Sequence, residues 1–161
     1  MKYKELTDVR YLVVHCSATP PNMDVGVKEI DLWHRQRGFF SIGYHIVIRR
    51  DGSVEFGRPL DQPGAHAVGF NEVSRAVCLV GGVEKDDRNH DGKIDPSELV
   101  PENNFTREQF ATLCDVLHAW KQEFPLAVVI GHRDLDSKHA RLKACPSFDV
   151  RTWARPLGLS D

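Results

Sequence analysis

The chain has 161 residues, of which 41% are hydrophobic and 27% charged. That suits one soluble domain with a real core. The 21 Lys+Arg against 23 Asp+Glu give a formal charge of −2, which excludes the basic footprint of a nucleic-acid binder. No run approaches the ~18 apolar residues of a membrane span, and MKYKELTDVR is not a secretory signal. Synthesis in a cytoplasm is therefore expected. Four scattered cysteines, Cys16, Cys78, Cys114 and Cys145, read as core residues, reactive groups or metal ligands, not a disulfide scaffold.

In chain order, Tyr11–Val14 reads as a buried strand ending at His15-Cys16-Ser17. Val27, Ile30 and Trp33 predict a helix to Arg37, stopped by Gly38. Gly43–Arg49 and Ser53–Phe56 form a hairpin across Arg50-Asp51-Gly52. Pro63–Asn71 is a Gly-rich surface loop, and Ala76–Val80 a second buried strand before Gly81-Gly82. The clearest helix spans about Arg107–Glu123. Thr106 and Gln109 make its capping box, and Phe105 and Phe110 take the staple positions. Its apolar face carries Phe110, Leu113, Cys114, Leu117, Trp120 and Phe124, which makes Cys114 a core residue. Leu126–Ile130 is a third buried strand, and a short helix covers Phe148–Ala154. Alternating strands and helices plus one hairpin predict an α/β single domain, a mixed β-sheet flanked by helices.

His132 follows an apolar strand, and Cys145 lies thirteen residues on. Imidazole and thiol in one loop point to zinc, which needs at least a third ligand. His15 also ends an apolar strand. If the two strands lie parallel and adjacent, His15 and His132 emerge at one sheet edge, where α/β folds place their sites. Eight histidines leave other triples open on spacing alone. By strand alternation Tyr44 and His45 face opposite sides, and Cys16 turns away from His15 as a small core residue.

VVHCSAT (Val13–Thr19), GYH (Gly43–His45) followed by RDG, GAHAVGFN, CLVGG (Cys78–Gly82), NFT and KACPSFD (Lys143–Asp149) occur in an order and spacing that resemble the zinc-dependent N-acetylmuramoyl-L-alanine amidases. The resemblance is nearest to the small single-domain phage lysozymes of that family. It is more distant to the animal peptidoglycan recognition proteins, and it runs from about Tyr11 to Trp153. It implies zinc on His15, His132 and Cys145, catalytic roles for Tyr44 and Lys143, and a peptidoglycan groove contacted by His66 and Asn71. His34, His90, His118 and His139 are expected to be solvent-facing or structural. The implied enzyme is a phage or prophage endolysin. It would act on the host wall from the cytoplasm after membrane permeabilisation. A monomer is expected because no exposed apolar face is evident beyond what the core should use, and the charge balance and lack of a long apolar run predict no nucleic-acid or membrane partner. Competing readings are a cytoplasmic amidase recycling anhydromuropeptides and an inactive peptidoglycan-binding module, the latter disfavoured because Cys145 is retained. Some phage lysozymes of this type also inhibit a phage RNA polymerase, but MKYKELTDVR carries no readable polymerase contact.

One motif stands apart. DRNHDGKIDPSE places Asp87, Asn89, Asp91, Lys93 (through its carbonyl), Asp95 and Glu98 at the ligand positions of an EF-hand loop, with Gly92 at the turn. This makes 87–98 a candidate calcium-binding insertion within a single amidase domain spanning 1–161. Its expected role is structural, not catalytic.

Overall fold

The computed structural model describes residues 3–85, 99–135 and 138–160. In order these build β1 (Tyr11–Cys16), α1 (Val27–Gln36), β2 (Ile46–Ile48), β3 (Val54–Phe56), β4 (Ser74–Leu79), α2 (Arg107–Glu123), β5 (Val128–Gly131) and α3 (Val150–Ala154). The predicted elements are all present, with ends shifted by up to three residues. Tyr44 and His45 precede β2 instead of lying on it.

The strands form one mixed sheet in the order β3-β2-β4-β1-β5. Only the β2–β3 hairpin is antiparallel; β2–β4, β4–β1 and β1–β5 are parallel. Alternation along the strands sorts the core into two layers. Leu12, Val14, Ile46, Ile48, Val77 and Leu79 face Leu113, Leu117 and Trp120 of α2. Val47, Cys78 and Val80 turn to the opposite layer, with Ile30 of α1.

α2 begins as its sequence requires. Thr106 Oγ1 accepts from Gln109 N at 3.1 Å, and Gln109 Oε1 accepts from Thr106 N at 3.0 Å. The Phe105 and Phe110 rings meet edge-on, 6.0 Å apart. Gln109 then does more than cap. Fully buried, its Nε2 donates to the Ile48 and Val80 carbonyls, which fastens the helix start to β2 and to the chain leaving β4. Cys114 packs against the core, half-buried, as expected.

The candidate calcium ligands 87–98 lie outside the described residues. The chain on either side of them is paired: Glu84 N donates to Val100 O and Glu102 N to Gly82 O, each at 2.9 Å.

Candidate active site

The parallel pairing of β1 with β5 brings the two strand-end histidines together. Val14 is in register with Gly131, so His15 and His132 follow side by side, their rings 4.4 Å apart. Cys145 arrives on a turn closed by Cys145 N donating to Leu142 O at 3.0 Å. That turn is tied to His132's neighbour by Arg133 N donating to Cys145 O at 2.8 Å. His15 Nδ1 lies 3.9 Å from Cys145 Sγ. Donor atoms of His15, His132 and Cys145 all lie within 4.8 Å of one another, and all three residues are buried. Two imidazoles and a thiol at that spacing can hold a metal ion.

Cys16 turns off His15's face, as alternation requires, into a small cluster with Ala18, Val83, Leu142 and Cys145. It still serves the site, because its amide donates to Cys145 Sγ at 3.3 Å. Gly82 makes room for it: φ there is +105°, and a Cβ would lie 2.6 Å from Cys16 Sγ. Burial pushes the Cys145 thiol well above its ordinary range, whereas the hydrogen bond from the Cys16 amide favours thiolate. Burial, followed by the neighbouring His132 and His66, holds His15 well below 6.5. In water at neutral pH its imidazole is therefore uncharged, as a ligand must be.

Tyr44 stands beside these three residues, its ring 4.9 Å from that of His15. Two loops carry it there. His34, buried on α1, accepts from Gly43 N at 2.9 Å and lies 5.2 Å from the Tyr44 ring. Arg58 laces the Tyr44 loop to the loop bearing His66, donating to Ile42 O (3.0 Å), Ser41 O (3.3 Å) and Pro63 O (2.9 Å). The loops touch so closely that a Cβ on Gly43 would overlap the Ala65 carbonyl oxygen, and one on Gly64 would lie 2.6 Å from Gly43 O. Burial pushes the Tyr44 hydroxyl well above 10, so it stays protonated.

His45 faces away and is a structural group. Its Nδ1 accepts from Ala76 N at 3.0 Å, and its Nε2 donates to Gln62 O at 2.6 Å. His66 sits against His15, with its Nδ1 2.8 Å from His15 Nε2, and its own Nε2 is 3.0 Å from Ser74 Oγ. Asn71 Oδ1 accepts from the His66 and Ala67 amides at 2.8 and 3.0 Å. A cleft of about 390 Å³ opens over this group, with Trp33, His34, Arg37, Tyr44, His66 and Asn71 in its wall. Lys143 lies exposed on the turn before Cys145, outside that wall.

His34, Arg58 and Ser74 escaped the sequence reading as site-building residues. His34 had a signal, since it follows Ile30 by four on the apolar face of α1. Ser74 and Arg58 had none: Arg58 bonds carbonyls of two separate loops, and Ser74 meets the His66 ring only once the intervening loop has folded back.

Residues 5–148 match the family model described as N-acetylmuramoyl-L-alanine amidase. The endolysin of Enterobacteria phage K11 is 41% identical over 155 residues, covering 96% of this chain and 91% of that protein. In structure the chain resembles the N-acetylmuramoyl-L-alanine amidase LysC from Clostridium intestinale URNW, with a TM-score of 0.70 at 22% identity over 98% of this chain and 95% of that one. It also resembles Drosophila PGRP-LB, with a TM-score of 0.71 at 18% identity over 99% and 88%.

Proposed function

The chain belongs to the N-acetylmuramoyl-L-alanine amidase family, and from that membership we infer that it is an endolysin, an enzyme that hydrolyses the peptidoglycan amide between the lactyl group of N-acetylmuramic acid and L-alanine. The observation that carries this reading is the buried His15, His132 and Cys145 triple, of which His132 and Cys145 line the wall of a cleft. Three protein ligands with a position left for water or substrate is the pattern of catalytic zinc. Tetrahedral zinc sets its nitrogen and sulfur donors about 3.3–3.7 Å apart, close to the 3.9 Å between His15 Nδ1 and Cys145 Sγ. Bound zinc supplies Lewis acidity for amide hydrolysis.

The chain's own residues do the rest. The cleft holds the muramyl peptide with its scissile carbonyl near Tyr44. As a protonated phenol, Tyr44 donates a hydrogen bond to the oxyanion that forms there. Lys143 reaches in from the rim and places positive charge on the same oxygen once substrate fills the cleft. His66 and Asn71 shape the cleft wall, where the substrate packs on the His66 ring while the polar atoms named above hold the loop.

Among the described residues no helix is long and apolar enough to cross a membrane. The proposed working cycle is accumulation in the host cytoplasm as a monomer and access to the wall after permeabilisation. The calcium site at 87–98 rests on its sequence pattern. Calorimetry should give heat for calcium binding to the parent and none for Glu98→Ala; no heat from the parent ends that proposal.

The deciding experiment digests purified sacculi with and without a zinc chelator. New free L-alanine amino groups, lost on chelation and restored by zinc, are expected. New reducing sugar ends instead would identify a glycosidase and sink the reading. Activity confined to soluble anhydromuropeptides would make the enzyme a recycling amidase.

A further inference from the structure

The hydrogen bonds around His66 run in one direction only. Ser74 Oγ is 2.7 Å from Phe70 O and 3.0 Å from His66 Nε2. A carbonyl oxygen only accepts, so the single serine proton goes to Phe70 O. His66 Nε2 must then carry a hydrogen and donate it to Ser74 Oγ. A neutral imidazole has one N–H, so His66 Nδ1 is an acceptor. It lies 2.8 Å from His15 Nε2, which must therefore donate. His15 is left with a bare Nδ1, and that is the nitrogen 3.9 Å from Cys145 Sγ.

We propose that Ser74 and His66 are positioning residues for the metal ligand His15: a relay anchored on the Phe70 carbonyl fixes the tautomer of His15 and aims its Nδ1 lone pair at the metal position. The inference rests on the reading of His15, His132 and Cys145 as zinc ligands. It gives His66 the role of a support for a ligand beside its place in the cleft wall. The surroundings fit a built device. Ser74 is fully buried. The two amide hydrogen bonds to Asn71 Oδ1 clamp the backbone at His66. Gly64 leaves room for the ring, since a Cβ there would lie 2.7 Å from His66 Cδ2. Partners of this kind orient histidine ligands and raise their basicity.

The test has two readouts besides turnover. In zinc-free protein, long-range nitrogen–proton NMR should find both His15 and His66 as Nε2–H tautomers, and Ser74→Ala should give mixed tautomers at both. In chelator competition, Ser74→Ala and His66→Phe, each folded by circular dichroism, should bind zinc about 10–100-fold more weakly than the parent. His15 protonated on Nδ1 in the zinc-free parent overturns the relay. So does zinc affinity unchanged in both variants. A parent that takes up no zinc removes the ligand reading as well, whereas zinc uptake by the parent with unchanged variants removes the relay alone.

Discussion

In the proposed mechanism Tyr44 and Lys143 act on the oxyanion from different surroundings, which makes their contributions separable. Tyr44 is half-buried, its ring tilted against that of His15 and edge-on to that of His34, so the ring is held in place before substrate arrives. Tyr44→Phe keeps the ring and removes one preorganised donor. Turnover should fall roughly 10²–10³-fold with zinc retained, the scale of a lost oxyanion-hole donor. Lys143 is exposed, so part of its interaction is screened by solvent. Lys143→Ala should cost less, on the order of 10-fold to 10²-fold. Cys145→Ser differs in kind, because zinc content and turnover should disappear together. Metal analysis alongside an amide-release assay on sacculi checks all three; full turnover in Tyr44→Phe would remove that residue from the chemistry.

At the scale of elements, the critical joint is where α2 meets the sheet. Gln109 joins the helix cap to β2 and the β4 exit, and its Oε1 also accepts from Arg50 Nη1 at 3.2 Å. Gln109→Leu keeps a side chain of similar size but removes one donor each from the Ile48 and Val80 carbonyls, which keep the Val80 amide and Arg50 Nη1 respectively, and takes the acceptor from the Thr106 amide. It should cost about 2–4 kcal/mol, or roughly 5–15 °C in Tm for a domain of this size. Thr106→Ala removes the cap and the hydroxyl's 2.7 Å bond to the Arg50 carbonyl, leaves the Gln109 bonds to the sheet, and should cost about 1–2 kcal/mol. Equal losses in thermal melts would mean that the bonds to the sheet contribute nothing. The capping box and staple of α2 were legible because they are local: four residues carry the whole signal. The bonds to Ile48 and Val80 were not, because they depend on sheet order. The same division runs through the active site. His15 and His132 could be read as ligands because each ends an apolar strand, and parallel pairing of β1 with β5 does the rest. Tyr44 was expected on a strand with its neighbour on the opposite face. The facing is right, but two loops laced by Arg58 hold it, and the close approach at Gly43 and Gly64 is visible only when both loops are in place.

For the whole molecule, the concentration of neutral histidines in the fold sets its behaviour in acid. Burial, followed by the charges of Arg37 and Arg58, lowers His34 to about 4. Burial also lowers His45 to about 4, against the hydrogen bond to Gln62 O, with Arg75 and Arg58 acting in the same direction as burial. In the unfolded chain both should titrate near 6.5. Between those values the unfolded state binds more protons than the native state, so stability falls as pH falls. The contribution of these two residues is complete above about 6.5 and is lost progressively down to about 4. A depression of roughly 2.5 units corresponds to about 3 kcal/mol per histidine, so together they rival a large share of a typical domain's stability. Urea melts at pH 7.5 and 5 should show a steep loss, with about two protons taken up on unfolding near pH 5 from this pair alone. His34→Asn retains an acceptor for Gly43 N without a titrating ring, and should reduce that uptake by about one proton. A slope that His34→Asn leaves unchanged would mean that His34 is not held neutral by its burial. The consequence for activity is direct: protonated His34 cannot accept from Gly43 N. The loop that carries Tyr44 therefore loses its anchor to α1 only around pH 4, at the lower end of the range over which the fold weakens.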